Sequence, residues 1–335
     1  MAGPVEPTGS AGRAESAELD GGVDSMGSAG GAPQWAIVVD TLAFPFEAKA
    51  IRKFVVEELG LPVRYLINTH SHSDHAWGNC FFPGATIIAH TKCAEYLRTI
   101  GIPALEETKA KNPEFAESHI VIPHLTFDIG ELTLKVGKKN ITVVLTPGHS
   151  DDGIGVFVEE DRILFAGDSF LGIPQFSGGS YEDSIATIHK VAAMGLENII
   201  QGHGDIVLRG EIDSAVEENL AYLTKLKQIG EDALRYRNPA IYLNQFSIES
   251  CGKSRVLISG LATSIHTANL IAIYKHSLAE LGRPADEDLI NNDEDDDDFG
   301  DFFSSEETQY QSDGGGYDDD ADFEYIDNYD KLDDF

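Results

Sequence analysis

Short apolar runs that end at a glycine or a polar residue recur along the chain from Trp35 onwards. Runs of four to seven residues bounded by turn residues are typical of buried strands. We predict a strand for each of the runs WAIVVDT, VRYLINT, ATIIA, LTFDI, LTLKV, ITVVLT and ENII, and a hairpin for GIGVFVEEDRILFAGD. The two strands of the hairpin are joined at Glu159 to Asp161.

Other stretches have apolar residues at the three- and four-residue spacing of an amphipathic helix. Residues 45–59 follow this pattern, and TKCAEYLRTI is predicted as a second helix. Ser180 is a predicted N-cap, with Asp183 three residues later, for a helix that continues through Met194. Two or three more helices are predicted within residues 211–281. Strands that alternate with helices in this way predict mixed sheets with helices packed outside them.

The acidic character of the chain is concentrated at its C-terminal end. The formal net charge of the 335 residues is −33, but residues 284–335 contain 22 Asp and Glu against one Lys, which leaves about −12 for the rest. Self-repulsion and low apolar content predict a disordered acidic tail over 284–335, and the Gly-, Ala- and Ser-rich residues 1–33 predict a disordered N-terminal extension. One domain is therefore predicted, over residues 34–283.

The composition also excludes several classes of partner. An acidic body repels phosphates, so we expect no nucleic-acid partner. Three scattered cysteines, Cys80, Cys93 and Cys251, favour a reducing compartment. No run of 18 apolar residues and no basic and apolar N-terminal leader are present in the sequence, so a cytoplasmic protein with no membrane partner is expected. The tail is interpreted as an aid to solubility, and docking of a basic protein partner is the alternative.

The stretch HSHSDH places four metal-binding side chains in six positions, directly after the predicted strand VRYLINT. Three more residues of this kind each follow an apolar run and lie next to glycine, in TPGHS, FAGDS and QGHGD. Functional groups of open α/β folds lie at this end of the strands. Imidazole and carboxylate groups suit zinc, iron or manganese. The predicted metal ligands are His70, His72, Asp74, His75, His149, Asp168 and His203.

The order HxHxDH, PGH, GD and GHG resembles that of the metallo-β-lactamase fold superfamily, over roughly residues 35–205. The resemblance implies an α/β (α+β) fold, a four-layer αββα sandwich with a dinuclear site at one edge of its two sheets. Carried over residue by residue, it assigns His70, His72 and His149 to a first metal, Asp74, His75 and His203 to a second, and Asp168 to a bridge between them. Asp40, at the end of VVD, resembles the family's structural aspartate and is expected to support the ligands.

This resemblance implies a metallo-hydrolase with two Zn²⁺ per chain, iron or manganese being the alternatives. A metal-bridging hydroxide would attack a small-molecule ester, thioester, lactone or β-lactam, with Asp74 and Asp168 as catalytic residues. An aspartate at position 168 favours the glyoxalase II-like and lactonase-like branches over the lactamase branches. His266 is a candidate substrate contact. The apolar residues after Asp168 predict either a wall beside the metals or packing of that loop; they are Phe170, Leu171, Ile173 and Phe176.

Two other functions remain open at this stage. One is a mononuclear iron sulfur dioxygenase of the same fold, with similar ligands. The other is a non-catalytic binding protein that acts through its acidic tail. The composition before Gln34 also leaves open whether one sheet lacks the strands that usually open the fold.

Overall fold

The structure is a computed structural model that describes residues 17–19 and 35–283. The predictions of disorder for residues 1–33, apart from 17–19, and for the tail 284–335 lie outside the described residues. The strands are β1 (Ala17–Leu19), β2 (Ala36–Val39), β3 (Val63–Ile67), β4 (Thr86–His90), β5 (Leu125–Phe127), β6 (Glu131–Val136), β7 (Lys139–Leu145), β8 (Ile154–Val158), β9 (Ile163–Gly167), β10 (Asn198–Gln201) and β11 (Val207–Leu208).

The helices lie between these strands and after them. They are α1 (Pro45–Lys53), α2 (Ser73–Ala76), α3 (Thr91–Tyr96), α4 (Ile102–Lys111), α5 (Tyr181–Ala193), α6 (Arg209–Ala233), α7 (Pro239–Leu243) and α8 (Ala262–Glu280). Two of them continue into a π-helical turn, α1 at Phe54–Glu58 and α3 at Leu97–Gly101. Over the described residues, no helix is both long enough and apolar enough to cross a lipid bilayer.

The strands form two sheets. The small sheet has the order β2-β3-β4-β5, and all of its strands are parallel. The large sheet has the order β1-β6-β7-β8-β9-β10-β11. Within it, the successive pairs from β6 to β9 are antiparallel, as are β10 and β11, whereas β1 is parallel to β6 and β10 is parallel to β9. Because β1 precedes β2 in the chain, the large sheet does have a strand upstream of VVDT.

The two sheets pack face to face through the side chains of one face of each. Ile67 and Ile88 of the small sheet contribute to a buried cluster that also contains Val143 and Val156 of the large sheet. Their neighbours along the strands point the other way, because side chains alternate between the faces of a sheet. This cluster is the central core of the molecule.

The outer faces of both sheets are covered by helices. On the large sheet, Leu164 and Ile199 belong to a core that includes residues of α5, α6 and α8. On the small sheet, Leu66 and Ile87 pack with Ala48 of α1. The layers therefore run helix, sheet, sheet, helix, which confirms the predicted αββα sandwich.

Most predicted elements are present with shifted ends. Ser180 caps α5 as predicted, its hydroxyl accepting a hydrogen bond from the Asp183 backbone N–H at 3.1 Å. Four elements, β1, α2, α4 and β11, were not predicted, and β1 lies within the N-terminal stretch predicted as disordered. In α4 only Leu105 is buried, so its sequence lacks an apolar stripe. The single turn α2 and the two-residue strand β11 are too short to show a periodic pattern.

Candidate metal centre

The seven predicted ligands all lie beyond the carboxyl ends of strands. His70 and His72 are in the loop after β3, and Asp74 and His75 are in the single turn α2 that follows. The other three come directly after strands of the large sheet: His149 after β7, Asp168 after β9 and His203 after β10. Both sheets therefore present these side chains at one shared edge.

Three histidines converge on one side of this edge, and we call them the histidine triad: His70, His72 and His149. The Nε2 atom of His70 lies 2.9 Å from the Nδ1 atom of His72. The Nε2 atom of His149 lies 3.0 Å from that same Nδ1 atom. Ring nitrogens this close, one from each side chain, can all reach one cation.

The second group, which we call the mixed triad, consists of Asp74, His75 and His203. Asp74 Oδ2 lies 2.9 Å from His203 Nε2 and 3.2 Å from His75 Nε2. One ligand atom from each of the three residues lies within 4.8 Å of the other two. The three residues that the family resemblance assigned to a second metal thus lie together.

Asp168 lies between the two triads. Its Oδ1 atom is 3.5 Å from His75 Nε2 in the mixed triad. Its Oδ2 atom is 3.6 Å from His149 Nε2 in the histidine triad and 3.4 Å from His203 Nε2. A single carboxylate in contact with both groups is placed to be shared by two cations.

Burial keeps the histidine triad neutral. It lowers the pKa of His70 well below its ordinary value, and the neighbouring histidines lower it further. The pKa of His149 falls to about 4, also through burial, although Asp168 opposes the change. Burial lowers the pKa of His72 as well. Neutral imidazole is the form that binds a metal.

The carboxylates have the opposite effect in the mixed triad. Hydrogen bonds to Asp168 and Asp74 raise the pKa of His203 to about 10. Burial opposes a charge on His75, but Asp74 and Asp168 outweigh it and raise the pKa of His75 well above its ordinary value. Burial alone would raise the pKa of Asp74, yet His75 and His203 hold it well below the usual range. Without a metal, this half of the centre is a cluster of ion pairs.

The residues present fit a divalent metal ion. His75 Nε2 and Asp168 Oδ1 are buried and lack hydrogen bonds of good geometry among the described residues. Uncompensated buried polar atoms of this kind are costly, and a cation bound between them would satisfy both. The donor set of imidazoles and carboxylates is that of zinc, iron or manganese sites.

Asp40 supports the ligands from behind, as the sequence indicated. Its Oδ2 atom lies 2.9 Å from His75 Nδ1, which leaves Nε2 of that ring facing the centre. Asp40 also accepts hydrogen bonds from the Thr69 backbone N–H at 2.7 Å and from the Thr69 hydroxyl at 2.8 Å. The Thr69 hydroxyl is in turn 3.1 Å from His70 Nδ1. One carboxylate therefore orients a ligand of each triad.

A buried amide network beneath α2 was not predicted. The Asn68 side-chain amide donates to the His75 carbonyl at 3.0 Å, and Asn79 donates to Asn68 Oδ1 at 2.8 Å. The Thr41 hydroxyl donates to Asn79 Oδ1 at 2.9 Å. These bonds tie the loops after β2 and β3 together. The only signal in the sequence was a pair of polar residues, Asn68 and Thr69, at the end of a buried strand.

Gly202 lies against the shared carboxylate. A Cβ atom at this position would be 2.0 Å from Asp168 Oδ1 and 2.9 Å from His75 Cε1. Since either contact would displace a ligand side chain, glycine is required next to His203.

The packing of the core decides two further predictions, one for His266 and one for the apolar residues after Asp168. His266 is 3% exposed, and its ring nitrogens lie 3.0 Å from the Phe246 carbonyl and 3.0 Å from the Tyr222 hydroxyl. It is therefore a core residue, and its prediction as a substrate contact was wrong. The apolar residues after Asp168 pack in the core with residues of α5, α6 and α8, as the packing alternative predicted; they are Phe170, Leu171, Ile173 and Phe176.

The fold agrees with comparisons to known proteins. Residues 35–227, more than half of the chain, match the model of the metallo-beta-lactamase superfamily. The chain belongs to this superfamily. Its fold is similar to that of a metallo-beta-lactamase family protein from Thermus thermophilus, with a TM-score of 0.53, 20% identity, and coverage of 73% of this chain and 84% of that one.

The matches to three curated relatives cover about half of this chain. The chain is 25% identical over 171 residues to beta-lactamase-like protein 2 homolog of Caenorhabditis elegans, which covers 51% of this chain and 50% of the relative. It is 26% identical over 178 residues to thioesterase pkgB of Emericella nidulans, covering 53% and 41%. A hydroxyacylglutathione hydrolase of Rhodopseudomonas palustris is 26% identical over 178 residues, covering 52% and 62%. The matches thus span about half the length of these relatives.

Proposed function

We propose that this protein is a metal-dependent hydrolase with a dinuclear centre. The observation that carries the proposal is the convergence of seven ligand-type side chains from four separate chain segments at one edge of the sheets. The histidine triad would hold one cation, the mixed triad would hold the other, and Asp168 would be shared. Zinc is the proposed metal, because imidazole dominates the donor set.

When bound, two such cations supply an activated water at neutral pH and polarise a carbonyl group of the substrate. The chain's own residues would then position the reacting groups. The Asp168 side chain is 5% exposed and contacts both triads, so we assign it to holding the two halves in register. The Asp74 side chain is 25% exposed, which lets its carboxylate reach a substrate at the rim.

Proton transfer is the second role that we assign to Asp74. Its Oδ2 atom is bonded to His203 and lies close to His75, so the carboxylate is held in the site while the residue remains partly open to solvent. A carboxylate in this position can accept a proton from water and deliver it to the leaving atom.

The proposed substrate is a small molecule with an ester or thioester bond. Two curated relatives carry the names thioesterase and hydroxyacylglutathione hydrolase, and both names describe hydrolysis of an acyl bond. Lactones and β-lactams belong to the same reaction class, since each presents a carbonyl carbon to the same attack. We retain within this proposal the expectations of a cytoplasmic protein without a nucleic-acid partner.

The experiment is elemental analysis of the purified chain, followed by a panel of thioester, ester, lactone and β-lactam substrates. We expect close to two zinc ions per chain and hydrolysis of at least one acyl substrate that stops on chelation and returns with zinc. Fewer than one ion per chain and no hydrolysis would support the binding-protein alternative. Iron in place of zinc, with oxygen uptake on a persulfide, would support the sulfur dioxygenase.

A further inference from the structure

The histidines of the centre differ in what holds the ring nitrogen that faces away from the ligand cluster. A metal-binding histidine almost always donates its second N–H to a carboxylate, a carbonyl or a water, which fixes the orientation of the ring. For His75 the partner is Asp40, and for His70 it is the Thr69 hydroxyl. The Nδ1 atom of His149 is buried and has no hydrogen-bond partner among the described residues.

The side chain of Asn219, on α6, also has a buried atom without a hydrogen-bond partner. Its amide nitrogen donates to the Leu171 carbonyl at 2.9 Å, which fixes the orientation of the amide group. Its Oδ1 atom is buried and receives no hydrogen bond from any described residue. Asn219 is 1% exposed, so bulk water does not reach this oxygen. An unsatisfied acceptor therefore lies in the core near an unsatisfied donor.

Both side chains line the same small cavity. Its volume is about 10 Å³, close to the minimum that one water molecule requires. Two other polar side chains on its wall already have partners: the Ser169 hydroxyl donates to the Thr146 carbonyl, and the Ser184 hydroxyl donates to the Ser180 carbonyl. On this wall, His149 offers a ring N–H as a donor and Asn219 an amide oxygen as an acceptor, and neither atom has a hydrogen-bond partner among the described residues. Asp168 and Gln175 also line the cavity.

We infer that one ordered water occupies this cavity and links His149 to Asn219. The water accepts a hydrogen bond from His149 Nδ1–H and donates one to Asn219 Oδ1. Asn219 is thereby a positioning residue, because it holds the His149 ring with Nε2 directed at the histidine triad. This inference rests on the proposed function, since the orientation of His149 matters only if His149 binds a metal.

The direct test is a high-resolution crystal structure of the zinc-loaded full chain. We expect an ordered water within about 2.7–3.2 Å of both His149 Nδ1 and Asn219 Oδ1. A dry cavity, or a water that contacts only one of the two atoms, would overturn the inference. This measurement uses the wild-type chain and so does not depend on whether any variant folds.

A matched pair of variants tests the positioning role. Asn219→Leu removes the acceptor, whereas Asn269→Leu removes a similar clamp on the same loop at a side chain that does not itself line the cavity. Asn269 donates to the Pro174 carbonyl at 2.7 Å and accepts from the Phe176 backbone N–H at 3.2 Å. We expect Asn219→Leu to weaken the binding of one of the two zinc ions by about 10- to 100-fold in chelator competition.

The control, Asn269→Leu, should leave both zinc affinities within about threefold of wild type, although both variants lower thermal stability. Equal zinc affinities in the two variants would contradict a positioning role for Asn219. The failure of the proposed function is distinguishable, because in that case the wild-type chain itself would bind less than one zinc ion.

Discussion

The two halves of the candidate metal centre hold their ligands by different physical means. The histidine triad is buried, and burial keeps its imidazoles neutral, with the pKa of His149 near 4. The mixed triad is nearer the surface, with the His203 side chain 34% exposed, and its carboxylates raise the pKa of His203 to about 10. One half is thus ready to bind a cation, and the other must first release protons.

The difference shows how one six-residue stretch can serve two sites. His72 lies in extended backbone, with φ −60° and ψ 155°, and directly precedes the single turn α2. Residues before this turn contribute to the histidine triad, and residues within it contribute to the mixed triad. In the proposed centre, the change from extended chain to helical turn would divide HSHSDH between two cations, with Asp168 shared between them.

The largest effect is expected from removing the shared carboxylate. Asp168→Ala should abolish binding of both metals and lower hydrolysis by about 10³-fold or more, because Asp168 contacts both triads. Metal analysis and initial rates measure this. Asp161→Ala, which removes an exposed carboxylate paired with Lys139, is the control and should leave both quantities unchanged. Full activity in Asp168→Ala would contradict the shared role.

The next prediction separates the two halves. His149→Ala should remove the ion of the histidine triad, and His203→Ala should remove that of the mixed triad, so each variant keeps about one of two zinc ions. The loss should be more complete for His149, because its ring is buried and water cannot easily replace it. Metal stoichiometry after dialysis measures this. Loss of both ions in each variant would show that the halves do not bind independently.

The pH dependence of metal binding should differ between the halves. Below pH 10, a cation at the mixed triad must displace the proton of His203, so its apparent affinity should rise about tenfold per pH unit for each proton released. His149, with a pKa near 4, is a neutral imidazole between pH 6 and 8, so a cation does not compete with an added proton there and affinity at the histidine triad should change little. Chelator competition across that range, with calorimetric counting of released protons, measures both. Equal pH dependence of metal affinity at the two triads would contradict the proposed difference in their protonation.

The smallest effect is expected from Asp40, which is not a proposed ligand and contacts His75 on the side of the ring that faces away from the centre. Asp40→Asn should weaken metal binding at the mixed triad by about 10- to 100-fold, since it removes the charge behind His75 Nδ1. The histidine triad should be affected less, because Thr69 stands between Asp40 and His70. Site-resolved zinc affinities check this. A larger loss at the histidine triad would reverse the assignment of Asp40.

Much of this centre could be predicted because each candidate ligand lies in a short sequence pattern that can be recognised without the fold. Each ligand directly follows an apolar run that forms a strand, and strand ends meet at one edge of a sheet by construction. The proposed division of the HSHSDH stretch between two metals came from the family resemblance. The alternation of strand and helix patterns predicted mixed sheets with helices outside them, and the resemblance to the metallo-β-lactamase fold implied the αββα order of the layers.

What could not be predicted depends on contacts between distant segments. His266 looks like any other histidine in a helical stretch, and only the packing of α6 and α8 makes Tyr222 its partner. The gap at Asn219 Oδ1 is likewise visible only once α6 lies against the loop after β9. Nothing in the neighbouring sequence distinguishes Asn219 from an exposed helical asparagine.

The most direct test of the account is an anomalous-diffraction map of crystals of the zinc-loaded chain, collected at the zinc absorption edge. We expect two peaks about 3.5–4 Å apart, one bounded by the histidine triad and one by the mixed triad, with Asp168 between them. A single peak, or two peaks of which neither contacts Asp168, would contradict it.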